Sequence, residues 1–216
     1  MIHIIPRMPP PDPQVESSRW PGIEALTLTH WMGPRPDPFP EVRARIAYDS
    51  EHLHLHFEVK DWHVRAIAEQ DQDPVCGDSC VEFFFAPDPE NPSAYVNLEI
   101  NCGGTLLLHT QTGPRTGQKV ITREACALIH RSASLPRQVI PEQPGPLDWE
   151  VTCSLPFAML ERHCGMRHPA PGTHWRGNFC KCADATSHPH WLTWAPIPGE
   201  KPDFHRPDAF RSLCFA

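Results

Sequence analysis

No stretch of this sequence approaches the roughly 20 consecutive apolar residues that a membrane-spanning helix needs, so no membrane partner is expected. Basic residues are in deficit. Lys and Arg number 19 against 26 Asp and Glu, a formal charge of −7, and no basic stripe is present to neutralise phosphates, so no nucleic-acid partner is expected either. Missing too are G-x-S-x-G, H-E-x-x-H and a phosphate-binding loop, which removes the common signatures of hydrolases, metalloproteases and nucleotide enzymes. There is no C-x-x-C-H for haem attachment, and Met32 with scattered histidines is a weak substitute. Residues 1–15 carry neither a long apolar run nor a small-residue cleavage site, so no secretion signal is read and a cytoplasmic location is expected. No internal repeat is visible. No segment between the proline-rich stretches is large enough to bury its own core, so residues 1–216 are expected to form one domain.

What is abundant is proline. Twenty-seven prolines disfavour long helices and suit many short strands joined by stiff loops. Residues 6–13, 33–40, 136–146 and 196–207 read as such connectors. Ten Phe and seven Trp within a 40% hydrophobic composition supply a packed interior. The nine cysteines are odd in number and scattered, as expected of free thiols used as small core hydrophobes.

Period-2 patterning is the main structural signal. Leu53, Leu55, Phe57 and Val59 alternate with His52, His54, His56 and Glu58, and residues 42–48 precede them across a turn at 49–51, which together predict a hairpin. Further strands are expected at 79–86, 94–101, 105–110, 125–132, 147–155, 173–182, 191–194 and 212–215. Residues 156–164 alone read as a helix, with proline in the first turn and Gly165 as the stop. Many short strands and one short helix predict an all-β, two-sheet antiparallel sandwich of jelly-roll type.

Residues 77–104 hold the most informative pattern. On one strand Cys80, Glu82 and Phe84 share a face. On the next, Tyr95, Asn97, Glu99 and Asn101 share one, opposed by Val96, Leu98 and Ile100. Side by side, Glu82, Asn97, Glu99 and Asn101 would form a polar array matched to sugar hydroxyls, which both donate and accept. An ordinary solvated sheet face has the same pattern.

The order of RIAYDSEHLHLHFEVKD (45–61), GDSCVEFFFAP (77–87), YVNLEIN (95–101), LDWEVTCSLPFAML (147–160) and WRGNFCKC (175–182) resembles the family 9 carbohydrate-binding modules of the DOMON-like β-sandwich group. The resemblance implies a non-catalytic sandwich that binds ends of cellulose or xylan and small sugars, often with structural calcium, for which the turns around Asp71, Asp73 and Asp78 are the candidates. It also implies two tryptophans around the sugar, a glutamate on a D-S-V-E strand and an R-x-N pair on the next. Glu82 matches that glutamate and Asn101 that asparagine. Glu99 stands at the arginine, Cys76 at the first tryptophan, and the loop with Trp194, Phe204 and His205 loosely at the second. Arg206, in the proline-stiffened P-D-F-H-R-P segment, is added as a donor to paired hydroxyls or to an acidic sugar. The expected carbohydrate site is therefore Glu82, Asn97, Glu99, Asn101, Trp194, Phe204, His205 and Arg206.

Three other readings stand beside this one. Cys180-x-Cys182 and His188-x-His190 could supply four zinc ligands, although the spacing is tighter than a usual knuckle. More commonly Asn178, Lys181, Asp184 and these histidines would line loops at one end of a sandwich. His52, His54 and His56 could hold a metal or form a solvated or inter-sheet ladder. Glu82 and Glu99 could be a hydrolytic carboxylate pair, though a flat sheet face lacks the closed cleft such chemistry needs.

Overall fold

The alternation at 52–59 forms the middle of a sheet, because both of its neighbours present matching apolar faces. In the computed structural model, which describes residues 2–8 and 20–216, strands run β1 (His3–Ile5), β2 (Leu26–Thr27), β3 (His30–Trp31), β4 (Glu41–Tyr48), β5 (His52–Asp61) and β6 (Val64–Ala66). They continue with β7 (Cys80–Ala86), β8 (Tyr95–Asn101), β9 (Leu106–Gln111), β10 (Lys119–Val120) and β11 (His130–Ala133). The chain ends with β12 (Val139–Gln143), β13 (Leu147–Pro156), β14 (His174–Cys182), β15 (Trp191–Thr193) and β16 (Arg211–Phe215). One sheet has the order β11-β13-β5-β4-β2, the other β1-β16-β14-β7-β8-β9-β10, with β15 bridging β14 and β3. The part of the 6–13 connector from residue 9 onward lies outside the described residues.

The two-sheet sandwich is the architecture expected, and its core follows from the alternation. Leu53, Leu55, Phe57 and Val59 of β5 face Val81, Phe83 and Phe85 of β7 and Val96, Leu98 and Ile100 of β8. Phe179 from β14 stacks on Phe83 with ring centroids 4.6 Å apart and meets Phe57 edge-on at 6.0 Å. Each fully buried Phe or Leu of this set contributes about 1.5–3 kcal/mol by leaving water.

Several details differ from expectation. The sheets are not wholly antiparallel, since β1 joins β16 in parallel. Residues 125–132 do not form one strand. Thr122 accepts a hydrogen bond from the Ala125 amide and starts a single helical turn, α1 (Arg123–Cys126), so β11 begins only at His130. The second helix, α2 (Phe157–Cys164), is the expected one, and Gly165 stops it in a left-handed conformation at φ +71°. The stretch 136–146 is more than a connector. It carries β12, which pairs with β6 across a register shift between Val139 and Gln143, the kind of irregularity that admits Pro141 into a strand.

Of the three alternate histidines only His52 is partly exposed. His54 and His56 are buried between neighbouring strands. His54 bonds Ser154 Oγ at 2.7 Å and Asp49 at 2.8 Å. His56 bonds Glu150 at 3.0 Å and stacks under Trp20.

Candidate functional site

The polar array of β7 and β8 does not face open solvent. Chain segments between β6 and β7, and from β14 to β16, fold over the outer face of the larger sheet. There they bury a second apolar cluster that includes Val75, Cys80, Phe84, Tyr95, Cys180, Phe204 and Phe210. A lone sheet face with Phe84 and Tyr95 among its side chains would be costly to leave in water, and the loops cover it. Between them remains a pocket of about 210 Å³.

Glu82 and Glu99 form its floor with Cys182. They are directly opposite one another across the β7–β8 pair, so two carboxyls share one buried spot. Burial first, and then Glu99, pushes the Glu82 carboxyl well above its usual range. Burial raises Glu99 to about 7. Glu99 accepts a hydrogen bond from Asn97 Nδ2 at 3.0 Å, and Cys182 donates its S–H to Glu82 Oε1 at 3.0 Å. Glu82 Oε2 has no partner.

The walls are aromatic. Trp191 enters from β15 and donates its indole N–H to Asp184 at 2.7 Å. Phe84, Phe204 and His205 make the other side. Burial, then Arg115, lowers His205 to about 4, and its ring is fixed by the Tyr95 hydroxyl at 2.7 Å. At the rim Arg115 is engaged by Asp203 at 2.8 Å.

Of the eight residues expected at the site, the fold brings four to this pocket: Glu82, Glu99, Phe204 and His205. Cys76, at the position of the first tryptophan, also lines it. Asn97 is buried one step away and reaches the pocket only through Glu99. Asn101 is a correction. It is 0% exposed, its amide donates to Asp78, and its carbonyl accepts from the Gly103 and Thr105 amides. Its carbonyl closes the β8–β9 turn and its amide ties that turn to the segment before β7, so the side chain is not offered to a ligand. Trp194 is also placed elsewhere. It packs toward the sandwich core against Phe179, with Arg211 over its ring. Arg206 lies outside the pocket as well, clamped by both carboxylate oxygens of Asp208 and by the Pro198 carbonyl.

The four proposed zinc ligands do not assemble. Cys180 and Cys182 point outward, whereas His190 lies on the inner side, in a fully buried group with Asp61 and Lys181. Lys181 Nζ is 2.9 Å from Asp61 and 2.7 Å from His190 Nε2. Lys181 and Asn178 are therefore interior residues and not loop-lining ones; of that group Asp184 alone lines the pocket. The Asp-rich turns have their acceptors occupied by protein donors. Asp78 takes the Ile67 and Ala68 amides, Asp73 those of Glu69 and Gln70, and Asp71 pairs with Arg131 at 2.5 Å.

A two-sheet sandwich with a small aromatic and carboxylate pocket on one outer face has the build of a carbohydrate-binding module. The family model of carbohydrate-binding family 9 matches residues 22–215, and the chain belongs to that family. A candidate carbohydrate-binding protein from Bacteroides uniformis ATCC 8492 is 31% identical, over 100% of this chain and 97% of that one, with a TM-score of 0.86. A family 9 module from Caldicellulosiruptor kristjanssonii has the same fold at 11% identity. Its cellotriose complex gives a TM-score of 0.63 over 100% of this chain and 93% of that one, and its glucose complex 0.65 over 100% and 96%. None of the curated protein sequences matches the chain.

Proposed function

We propose that this protein binds the end of a neutral, glucose-type glycan in the Trp191 pocket and performs no chemistry on it. The observation that carries the reading is the meeting of an indole face with three carboxyl groups, Glu82, Glu99 and Asp184, in a pocket sized for one ring. Aromatic faces stack on the apolar C–H faces of a pyranose, while carboxyls and carboxylates take its hydroxyls. The complexes of the Caldicellulosiruptor module with glucose and cellotriose support a ligand of this class. Against catalysis, Glu82 and Glu99 lie side by side on the floor, whereas hydrolysis needs two carboxyls flanking the scissile bond. An acidic sugar is disfavoured by the acidic floor and by Arg206 being engaged with Asp208.

A thermal-shift series with glucose, cellobiose, cellotriose and xylobiose tests this. A ligand that binds only the native state raises the melting temperature with concentration. The expected result is a rise with the glucose series that grows with the logarithm of sugar concentration, from which Trp191→Ala removes about 1 kcal/mol or more of binding. No rise with any of the sugars would overturn the reading.

A further inference from the structure

At the floor of the pocket Glu82, which the sugar reading already uses, has beside it two buried thiols, Cys80 and Cys182, that sugar binding does not explain. Cys80 and Cys182 are directly opposite each other on β7 and β14, so their thiols lie side by side on the outer face. Glu82 is two residues along β7 on that same face. One ligand atom from each of Cys80, Glu82 and Cys182 lies within 4.8 Å of the other two. All three residues are buried, at 0%, 2% and 1% exposure.

From this geometry we infer that Cys80, Cys182 and Glu82 form a binding site for a thiophilic divalent cation, zinc in the first instance, with an open position toward the pocket. Zinc takes sulfur at about 2.3 Å and carboxylate oxygen at about 2.0–2.2 Å, so tetrahedral ligand atoms lie roughly 3.5–4 Å apart. The Cys182–Glu82 contact of 3.0 Å has only to open slightly, and the other ligand atoms, within 4.8 Å of one another, have only to shift by up to about 1 Å, to reach that spacing. Two thiolates favour zinc over magnesium or calcium.

A second observation points the same way. Glu82 Oε2 is buried and has no hydrogen-bond partner. A buried carboxyl oxygen left this way costs about 1–3 kcal/mol or more, and an ion or ligand is the usual resolution. Its other oxygen holds the Cys182 S–H, so the carboxyl is already turned toward the sulfur pair. Without a cation, burial raises the Cys80 thiol and the Glu82 carboxyl, and the hydrogen bond with Cys80, then burial, raises the Cys182 thiol, so the group keeps its protons. A divalent cation would replace them, releasing two thiol protons and the Glu82 proton to the buffer. Three protein ligands leave the fourth position for water or a hydroxyl, since Glu82 and Cys182 line the pocket.

The other two ligand groups carry less. The cation position among Asp61, His188 and His190 is taken by the Lys181 ammonium. In the Asp49, His52 and His54 group both His54 ring nitrogens are already engaged by Ser154 and Asp49.

The test uses the full chain, reduced and freed of metal, titrated with Co²⁺. The expected result is a near-ultraviolet thiolate-to-cobalt absorption that saturates at one equivalent and is displaced by Zn²⁺. Cys80→Ser and Cys182→Ser abolish it, Glu82→Gln weakens cobalt affinity about tenfold or more, and Cys214→Ser leaves it intact. Glu82→Gln, nearly isosteric, guards against a folding defect in the serine variants. No thiolate absorption in the native chain would overturn the inference, as would an absorption unchanged in folded Cys80→Ser and Glu82→Gln. Sugar binding by the metal-free protein is scored separately, so failure of one reading is distinguishable from failure of the other.

Discussion

At the residue scale, two buried charge arrangements have measurable consequences. Glu99 is raised from 4.5 to about 7 by burial. Below its unfolded value the carboxyl is protonated in both states. As pH rises toward 7 the unfolded chain gives up that proton while the folded protein keeps it, so the stability contribution is lost over this interval. Glu99→Gln removes the penalty. The stability of the variant minus that of the native chain should grow between pH 5 and pH 8, by on the order of 2 kcal/mol, as followed by urea unfolding. Taking the difference cancels His190 and His205, whose lowered values act in the opposite sense. The inner-side group behaves otherwise. Burial works to raise the Asp61 carboxyl, and Lys181 and His190 overcome it and hold it below its usual range. Lys181→Met would leave Asp61 as an unpaired buried charge, and unfolding experiments should read a loss of about 3–5 kcal/mol.

At the scale of elements, much was legible because strand faces follow from parity. Alternation along β5 and β8 specifies which side chains enter the core. Parity also fixes that Glu82 and Glu99 share the outer face with Phe84. It does not report what lies over that face, which depends on segments arriving from β6 and from beyond β14. This is why Asn101 was expected at the surface and is closed inside a turn. The Trp191/Trp194 pair shows the same limit. The sequence W-L-T-W offers either ring, and only the pairing of Cys182 with Trp191 sets Trp191 on the pocket side. The β8–β9 turn uses Gly104 for its left-handed dihedral, at φ +84°, and Gly103 for space. A Cβ on Gly103 would lie 2.2 Å from the Arg137 carbonyl oxygen. Gly103→Ala should therefore lower stability by roughly 1–3 kcal/mol, as for overpacking at a tight backbone contact, read as a drop in melting temperature.

At the scale of the whole molecule, a net charge of −7 and an acidic pocket floor select against anionic ligands. Uronic-acid oligosaccharides should fail to raise the melting temperature where neutral ones succeed, and neutral-sugar affinity should change little with added salt. The central claim is that the ligand enters beside Trp191. It is tested most directly by following the indole N–H signals in an NMR titration with cellobiose. The account predicts that the Trp191 signal moves and saturates while those of Trp194 and Trp20 stay in place. A titration in which Trp191 is unmoved while Trp194 or Trp20 responds would contradict it.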